Sequence, residues 1–284
     1  MKSEIKIIEC PRDAMQGISQ FIPTQKKADY INALIKVGYD VIDFGSFVSP
    51  KAVPQMRDTA RVLELLELTN NTSLLSIVLN KRGALEASFC DEIKIIGYPL
   101  SISEIFQKKN SNKSISSSLD LIDDIQNLCI KKNKTLLIYL SMAFGNPYGE
   151  HWSNELLFSY LKKMKEKGIT MVSLADTIGN STEQSIYDLY KDSNSYFNID
   201  IGLHLHSKAS DVSLKIDSAW NAGCRRFDVA INGHGGCPFA QNELIGNIPT
   251  EMLLNFLFSK NINHSIDMLA FESACNEAKK TFNL

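Results

Sequence analysis

The chain has 284 residues, 44% of them hydrophobic, with 30 Lys and Arg against 32 Asp and Glu for a formal net charge of −2. That balance, with no basic tract, argues against nucleic-acid binding, and apolar runs no longer than a strand argue against a membrane span. Six cysteines at 10, 90, 129, 224, 237 and 275 make no CxxC and no close pair, which favours reduced cytoplasmic thiols over a zinc site or disulfide frame. The N-terminal MKSEIKIIEC lacks the apolar core of a signal peptide.

Strand-like runs alternate with helix-period stretches from end to end. In chain order the strands are IKIIEC (5–10), VIDFGS (41–46), LLSIVLN (74–80), EIKIIGY (92–98), TLLIYLSM (135–142), MVSLADT (171–177), IDIGLHLHS (199–207) and RFDVAING (226–233). Amphipathic helices are expected between them, at 26–38 and 154–168 among others, each ending in a glycine. The polar run NSNKSISSS (110–118) reads as an exposed connection, and the segment after strand eight as added helices. Eight βα repeats predict an α/β fold, a (β/α)8 TIM barrel with extra C-terminal helices, spanning 1–284 as one catalytic domain. An open doubly wound sheet is the structural alternative, but no GxGxxG follows strand one.

In such a barrel the chemistry sits at the C-terminal ends of the strands. Arg12 and Asp13 follow strand one, Asp43 lies late in strand two, Asp176 closes strand six, His204 and His206 close strand seven, and Asp228 lies in strand eight. A helix cap at Asp176 or a core salt bridge explains any one of these; their agreement on one rim favours a site. His204 and His206, two apart in a strand, face the same side. With a carboxylate, best Asp13, they make a facial site for a divalent metal ion; oxygen donors favour Mg2+ or Mn2+, and two histidines keep Zn2+ or Fe2+ open. The run GHGGCPFAQNELIGN (233–247) predicts a mobile loop that carries Cys237 and ends at Asn247, a further candidate oxygen ligand. Its glycines are also compatible with phosphate binding.

PRDAMQ (11–16), SFVSPKAVPQM (46–56), SLADT (173–177), HLH (204–206) and GGCPFA (235–240) resemble, in order, the 3-hydroxy-3-methylglutaryl-CoA lyases, a family of the metal-dependent lyase and synthase barrels. The Arg-Asp and HxH motifs are shared across that superfamily, whereas SFVSPK with the GGCP loop is lyase-like. The resemblance implies cleavage of an acyl-CoA thioester to acetoacetate and acetyl-CoA by a homodimer or larger assembly. It implies metal ligation by Asp13, His204, His206 and Asn247, and polarisation of a substrate carbonyl by Arg12. Cys237 then sits on the active-site loop, with Asp43 in the catalytic set and Gln16, Ser46 and Asp176 beside the substrate. Either Asp13 or His204 is a candidate to take the hydroxyl proton, and Cys237 or a histidine to return one. The chain departs from the family where Asp43 replaces a Glu, Ala14-Met15 a Gly-Leu, Asn146-Pro147 a Cys-Pro and Ser207-Lys208 an Asp-Thr. Alternatives are a related acyl-CoA condensing or cleaving enzyme and a catalytically silent metal-binding barrel.

Overall fold

The computed structural model describes residues 4–69, 71–236 and 245–283. All eight strand segments form strands: β1 Lys6–Glu9, β2 Val41–Ser46, β3 Ser73–Ile77, β4 Ile93–Ser101, β5 Thr135–Ser141, β6 Met171–Asp176, β7 Asp200–Ser207 and β8 Arg226–Val229. Each pairs in parallel with its neighbours; β1 pairs with both β2 and β8, and β6 with β7, so the sheet closes into a ring. Closure rules out the open doubly wound sheet.

Around the ring lie α1 Pro11–Gln16, α2 Thr24–Val37, α3 Thr59–Leu63, α4 Lys81–Ser88, α5 Glu104–Ser111, α6 Ile115–Lys131, α7 Asn154–Glu166, α8 Glu183–Tyr196, α9 Val212–Asn221, α10 Thr250–Ser259 and α11 Met268–Phe282. Gly38 ends α2 as expected, at φ +85° with its N–H donating to the Ile35 carbonyl. The added C-terminal helix α11 packs on α2, with Tyr30 edge-on to Phe282 at 5.7 Å between centroids. No helix among the described residues is long and apolar enough to cross a membrane. The described cysteines are all free thiols; Cys237 lies outside the described residues.

The expected connection over 110–118 is shorter than its composition suggests. Helix α6 begins at Ile115, and the Ser114 hydroxyl accepts from the Ser117 N–H. A serine-rich run looks like a loop, but the same hydroxyls satisfy the free N–H groups of a first helical turn.

The strands are buried on both faces, so register decides which side chains enter the barrel. Ile8, Cys10, Val41, Leu75, Ile77, Ile95, Leu137, Tyr139 and Met171 make a small apolar cluster of their own, the barrel interior. The larger cluster fills the space between strands and helices. Ile8 pairs with Asp228 and Asp228 with His204, which places both polar residues inside. Asp43 and Ser46, three apart, would ordinarily face opposite ways. A register shift between Asp43 and Gly45 pairs Asp43 with Leu75 and Ser46 with Ile77, so both look inward.

Glu9 faces the helix layer and joins the end of the barrel together. Its fully buried carboxyl accepts from the Ile231 N–H at 2.8 Å and the Thr250 hydroxyl at 2.6 Å. Burial pushes this carboxyl up to about 8, against the lowering effect of those hydrogen bonds. An unfolded glutamate loses its proton near pH 4.3, so between there and pH 8 folding binds a proton. The stabilisation from a neutral Glu9 is therefore complete in acid and is lost as the pH rises through about 8. From pH 6 to 8 the wild-type protein should lose roughly 2 kcal/mol more stability than Glu9→Gln in denaturant titrations. Parallel pH profiles would mean that Glu9 is already ionised in the fold.

Candidate active site

A cavity of about 370 Å³ opens at the C-terminal ends of the strands, lined by Arg12, Asp13, Gln16, Ser46, Tyr139, His204 and His206 among others. Its charged edge is built by α1. Pro11 starts that helix, where a missing N–H costs nothing. The next turn then points Arg12, Asp13 and Gln16 at one another. Arg12 Nη1 donates to Asp13 Oδ1 at 3.0 Å and to Gln16 Oε1 at 2.8 Å, and Gln16 Nε2 donates to Asp13 Oδ1 at 2.8 Å. Arg12 Nε and Nη2 grip Asp43 Oδ2 at 3.0 and 2.6 Å. Four of the five guanidinium N–H donors are thereby engaged, and the fifth, on Nη2, has no partner among the described residues.

This pairing sets unequal carboxylates. Burial would raise Asp13, but the guanidinium of Arg12 and then the two imidazoles outweigh it and hold Asp13 at about 2. Burial prevails at Asp43 and pushes it up to about 6 in spite of Arg12, which still leaves it ionised at neutral pH. The guanidinium is held charged by its two carboxylates, which outweigh its burial.

His204 and His206 meet tip to tip. Their Nε2 atoms are 3.2 Å apart, while His204 Nδ1 lies 3.2 Å from Asp228 Oδ2 and His206 Nδ1 lies 3.2 Å from the Thr177 carbonyl. Each Nδ1 faces an acceptor and therefore carries the proton, which leaves both Nε2 lone pairs directed at the same point. Two lone pairs at that distance require a positive charge between them, either a proton or a metal ion. Ligand atoms of Asp13, His204 and His206 all lie within 4.8 Å of one another, so the donor set fits a facial divalent site with open positions. Burial lowers both imidazoles. In His204 the hydrogen bond and charge of Asp228 reverse the effect and raise it; His206, with His204 beside it, stays low.

Asn247 comes to this cluster on a short strand, β9 (Gly246–Asn247), antiparallel to β7 and opposite His206. Its amide nitrogen donates to Asp13 Oδ2 at 2.7 Å and to the His234 carbonyl at 2.8 Å. These two bonds hold the Asn247 amide against the carboxylate of a candidate ligand. Ser46 is buried in the cavity wall, its hydroxyl without a hydrogen-bond partner among the described residues.

Asp176 is at the same end of the barrel but on the other side of its strand. It pairs with Leu205, between the cavity-lining neighbours Ala175 and Thr177. It does not cap α8 either; Thr182 does, with a reciprocal bond to Ser185. The Asp176 carboxylate accepts from the Asn180 and Ser181 N–H groups, the Ser181 hydroxyl and the Lys215 ammonium. It is thus a support behind the site, in place of the expected substrate contact. Lys215 itself gives no signal in the sequence, because a lysine on a helix ordinarily points to water. Here it is buried and reaches Asp176 Oδ2 and the His206 carbonyl, each at 3.1 Å, so it fixes the backbone of a candidate ligand. Tyr139 likewise carries no signal in the sequence; the alternation of β5 puts it on the Leu137 face, edge-on to His204 at 5.5 Å.

The glycines before residue 237 are packed tightly, contrary to the mobility expected of them. A Cβ on Gly235, at φ +92°, would lie 2.7 Å from both Asn247 Nδ2 and the Asp13 carbonyl oxygen. Gly235→Ala should therefore displace Asp13 or Asn247 and weaken Mn2+ binding by about tenfold or more, read by calorimetry. Unchanged affinity would show that the loop is free to move aside. Cys237 and the rest of the loop to residue 244 lie outside the described residues.

A family model described as HMGL-like matches residues 4–276. The chain is 31% identical over 265 residues to a hydroxymethylglutaryl-CoA lyase of Bacillus subtilis, covering 93% of this chain and 88% of that protein. It is 31% identical to the mitochondrial hydroxymethylglutaryl-CoA lyase of Gallus gallus, covering 93% and 89%. The solved HMG-CoA lyase of Bacillus subtilis superposes with a TM-score of 0.93 at 30% identity, covering 99% of this chain and 95% of that one. An HMG-CoA lyase from Acenitobacter baumannii, solved in complex with coenzyme A and 3-methylmalate, gives 0.91 at 29% identity over 98% and 91%. Sequence and structure agree along nearly the whole chain, and the protein belongs to the HMGL-like family.

Proposed function

We propose that this protein is a metal-dependent carbon–carbon lyase that cleaves 3-hydroxy-3-methylglutaryl-CoA to acetoacetate and acetyl-CoA. The observation that carries the reading is the meeting of both Nε2 lone pairs with Asp13 beside the Arg12 guanidinium, within a chain whose relatives are named for this activity. Mg2+ or Mn2+ held by Asp13, His204 and His206, with Asn247 Oδ1 as a further ligand, would acidify and orient a substrate hydroxyl.

The remaining roles follow from the chain's own groups. The free Nη2–H of Arg12 is the donor available to a thioester carbonyl as enolate charge develops on it, the moment at which fixed positive charge lowers a barrier most. Asp43 holds the guanidinium in that pose, and Gln16 braces Arg12 and Asp13 from the same helix turn. Ser46 offers an uncommitted hydroxyl to the polar part of the substrate. Asp13, kept ionised, and His204 are the two candidates to accept the hydroxyl proton, and Cys237 or a histidine returns one to the enolate carbon. The same family reading carries a cytoplasmic homo-oligomer, to be tested by cell fractionation and light scattering.

The deciding experiment incubates chelator-stripped protein, with Mg2+ or Mn2+ restored, against a panel of 3-hydroxyacyl-CoA thioesters. Acetyl-CoA and acetoacetate in equal amounts from 3-hydroxy-3-methylglutaryl-CoA is the expected result. Turnover of another thioester in its place would reassign the substrate, and metal binding without any turnover would leave a silent barrel.

A further inference from the structure

Below the cavity, inside the barrel, lies a second cluster of soft and hard donors. Cys10 Sγ, a carboxylate oxygen of Asp228 and a ring nitrogen of His204 all fall within 4.8 Å of one another. Cys10 and Asp228 are buried almost completely. Both belong to the interior face, since Cys10 is two residues beyond Ile8, the partner of Asp228 in the ladder. The Cys10 thiol makes a weak hydrogen bond to the Ile8 carbonyl at 3.7 Å. Among the described residues Asp228 Oδ1 has no hydrogen-bond partner, and Arg226 Nη1 lies 4.0 Å away. The hydroxyl of Tyr139, another interior side chain, is likewise buried without a hydrogen-bond partner among the described residues.

We propose that Cys10 Sγ, Asp228 and His204 Nδ1 form a second site, for a thiophilic divalent cation such as Zn2+, whose occupation disables His204 for the site above. Zinc takes thiolate, imidazole and carboxylate at about 2.0–2.3 Å in a tetrahedron, so its ligand atoms stand roughly 3.3–4 Å apart. Ligand atoms already within 4.8 Å of one another stand close to that spacing, and a water would complete the fourth position. The thiol proton leaves to solvent as the metal–thiolate bond forms. Hard ions gain little from sulfur, so Mg2+ and Mn2+ stay with the sulfur-free set at the mouth. Antagonism follows from the shared imidazole. A cation on Nδ1 takes the place of the Nδ1–H, and with it the hydrogen bond to Asp228 that aims Nε2 at the upper site. The site stands apart from the lyase assignment, because it is read without substrate.

Metal-free, reduced full-length protein is titrated with Cd2+, and the ultraviolet charge-transfer band of a cadmium–thiolate bond is followed in wild type, Cys10→Ser and Cys237→Ser. The band is expected to saturate at one equivalent in wild type and Cys237→Ser and to vanish in Cys10→Ser. Cys10→Ala, which keeps a small apolar side chain, repeats the test should the serine variant fail to fold. A full band in either Cys10 variant, or no band in wild type, overturns the proposal. In a second arm Mn2+ is bound first, and its release by Zn2+ is followed by electron paramagnetic resonance. The Zn2+ concentration for half-release should rise about tenfold or more in Cys10→Ser, at least the scale of a lost outer partner, because the variant lacks a direct ligand of the lower site. Equal concentrations in the two proteins would overturn the antagonism.

Discussion

Arg12→Gln is expected to lower kcat on 3-hydroxy-3-methylglutaryl-CoA by about three orders of magnitude, the upper range for loss of one preorganised charge-stabilising donor. Mn2+ binding should survive, and should tighten, because Asp13 loses the cation that competes with a metal ion for Oδ1. The variant should also fold. Asp43 is left buried without its ion pair, but burial already holds it at about 6, so it takes up a proton and avoids an unpaired buried charge. Steady-state kinetics with parallel Mn2+ calorimetry check both halves. A kcat within tenfold of wild type would remove Arg12 from the chemistry, and lost metal with lost activity would make it a support for Asp13 only.

His206→Ala should abolish turnover by a different route, through the metal. It removes one of two convergent lone pairs, and Mn2+ affinity should fall by more than the roughly 10–100-fold typical of outer partners. The fold should persist, since Lys215 holds the His206 carbonyl, which alanine retains, and β9 pairs through the backbone. Thermal melts make the distinction without substrate. Wild type should gain about 2.7 kcal/mol at a Mn2+ concentration one hundred times its Kd, and the variant less than about 0.4 kcal/mol at the same concentration. An equal gain in both proteins would place the metal elsewhere.

The fold could be read from the chain because its signals are local. Eight β-rich runs, each followed by an amphipathic stretch, leave a parallel sheet as the way to bury both faces of every strand, and Gly38 marks the end of α2 through the left-handed turn it makes. The HLH spacing likewise placed His204 and His206 on one face, since side chains two apart in a strand share a side. Which face, and against what, was not local. A strand buried on both sides carries no alternation from which its inner face can be read. Only the pairing with β7 turned Asp176 toward the helices, and only the shift in β2 brought Asp43 and Ser46 to the same side. The contacts that set charge and orientation join residues far apart in the chain: Arg12 with Asp43, His204 with Asp228, Lys215 with the His206 carbonyl, Asn247 with Asp13. Such groups bond one another because closing the barrel removes the water that would otherwise bond each of them separately, and that exclusion belongs to the tertiary structure alone.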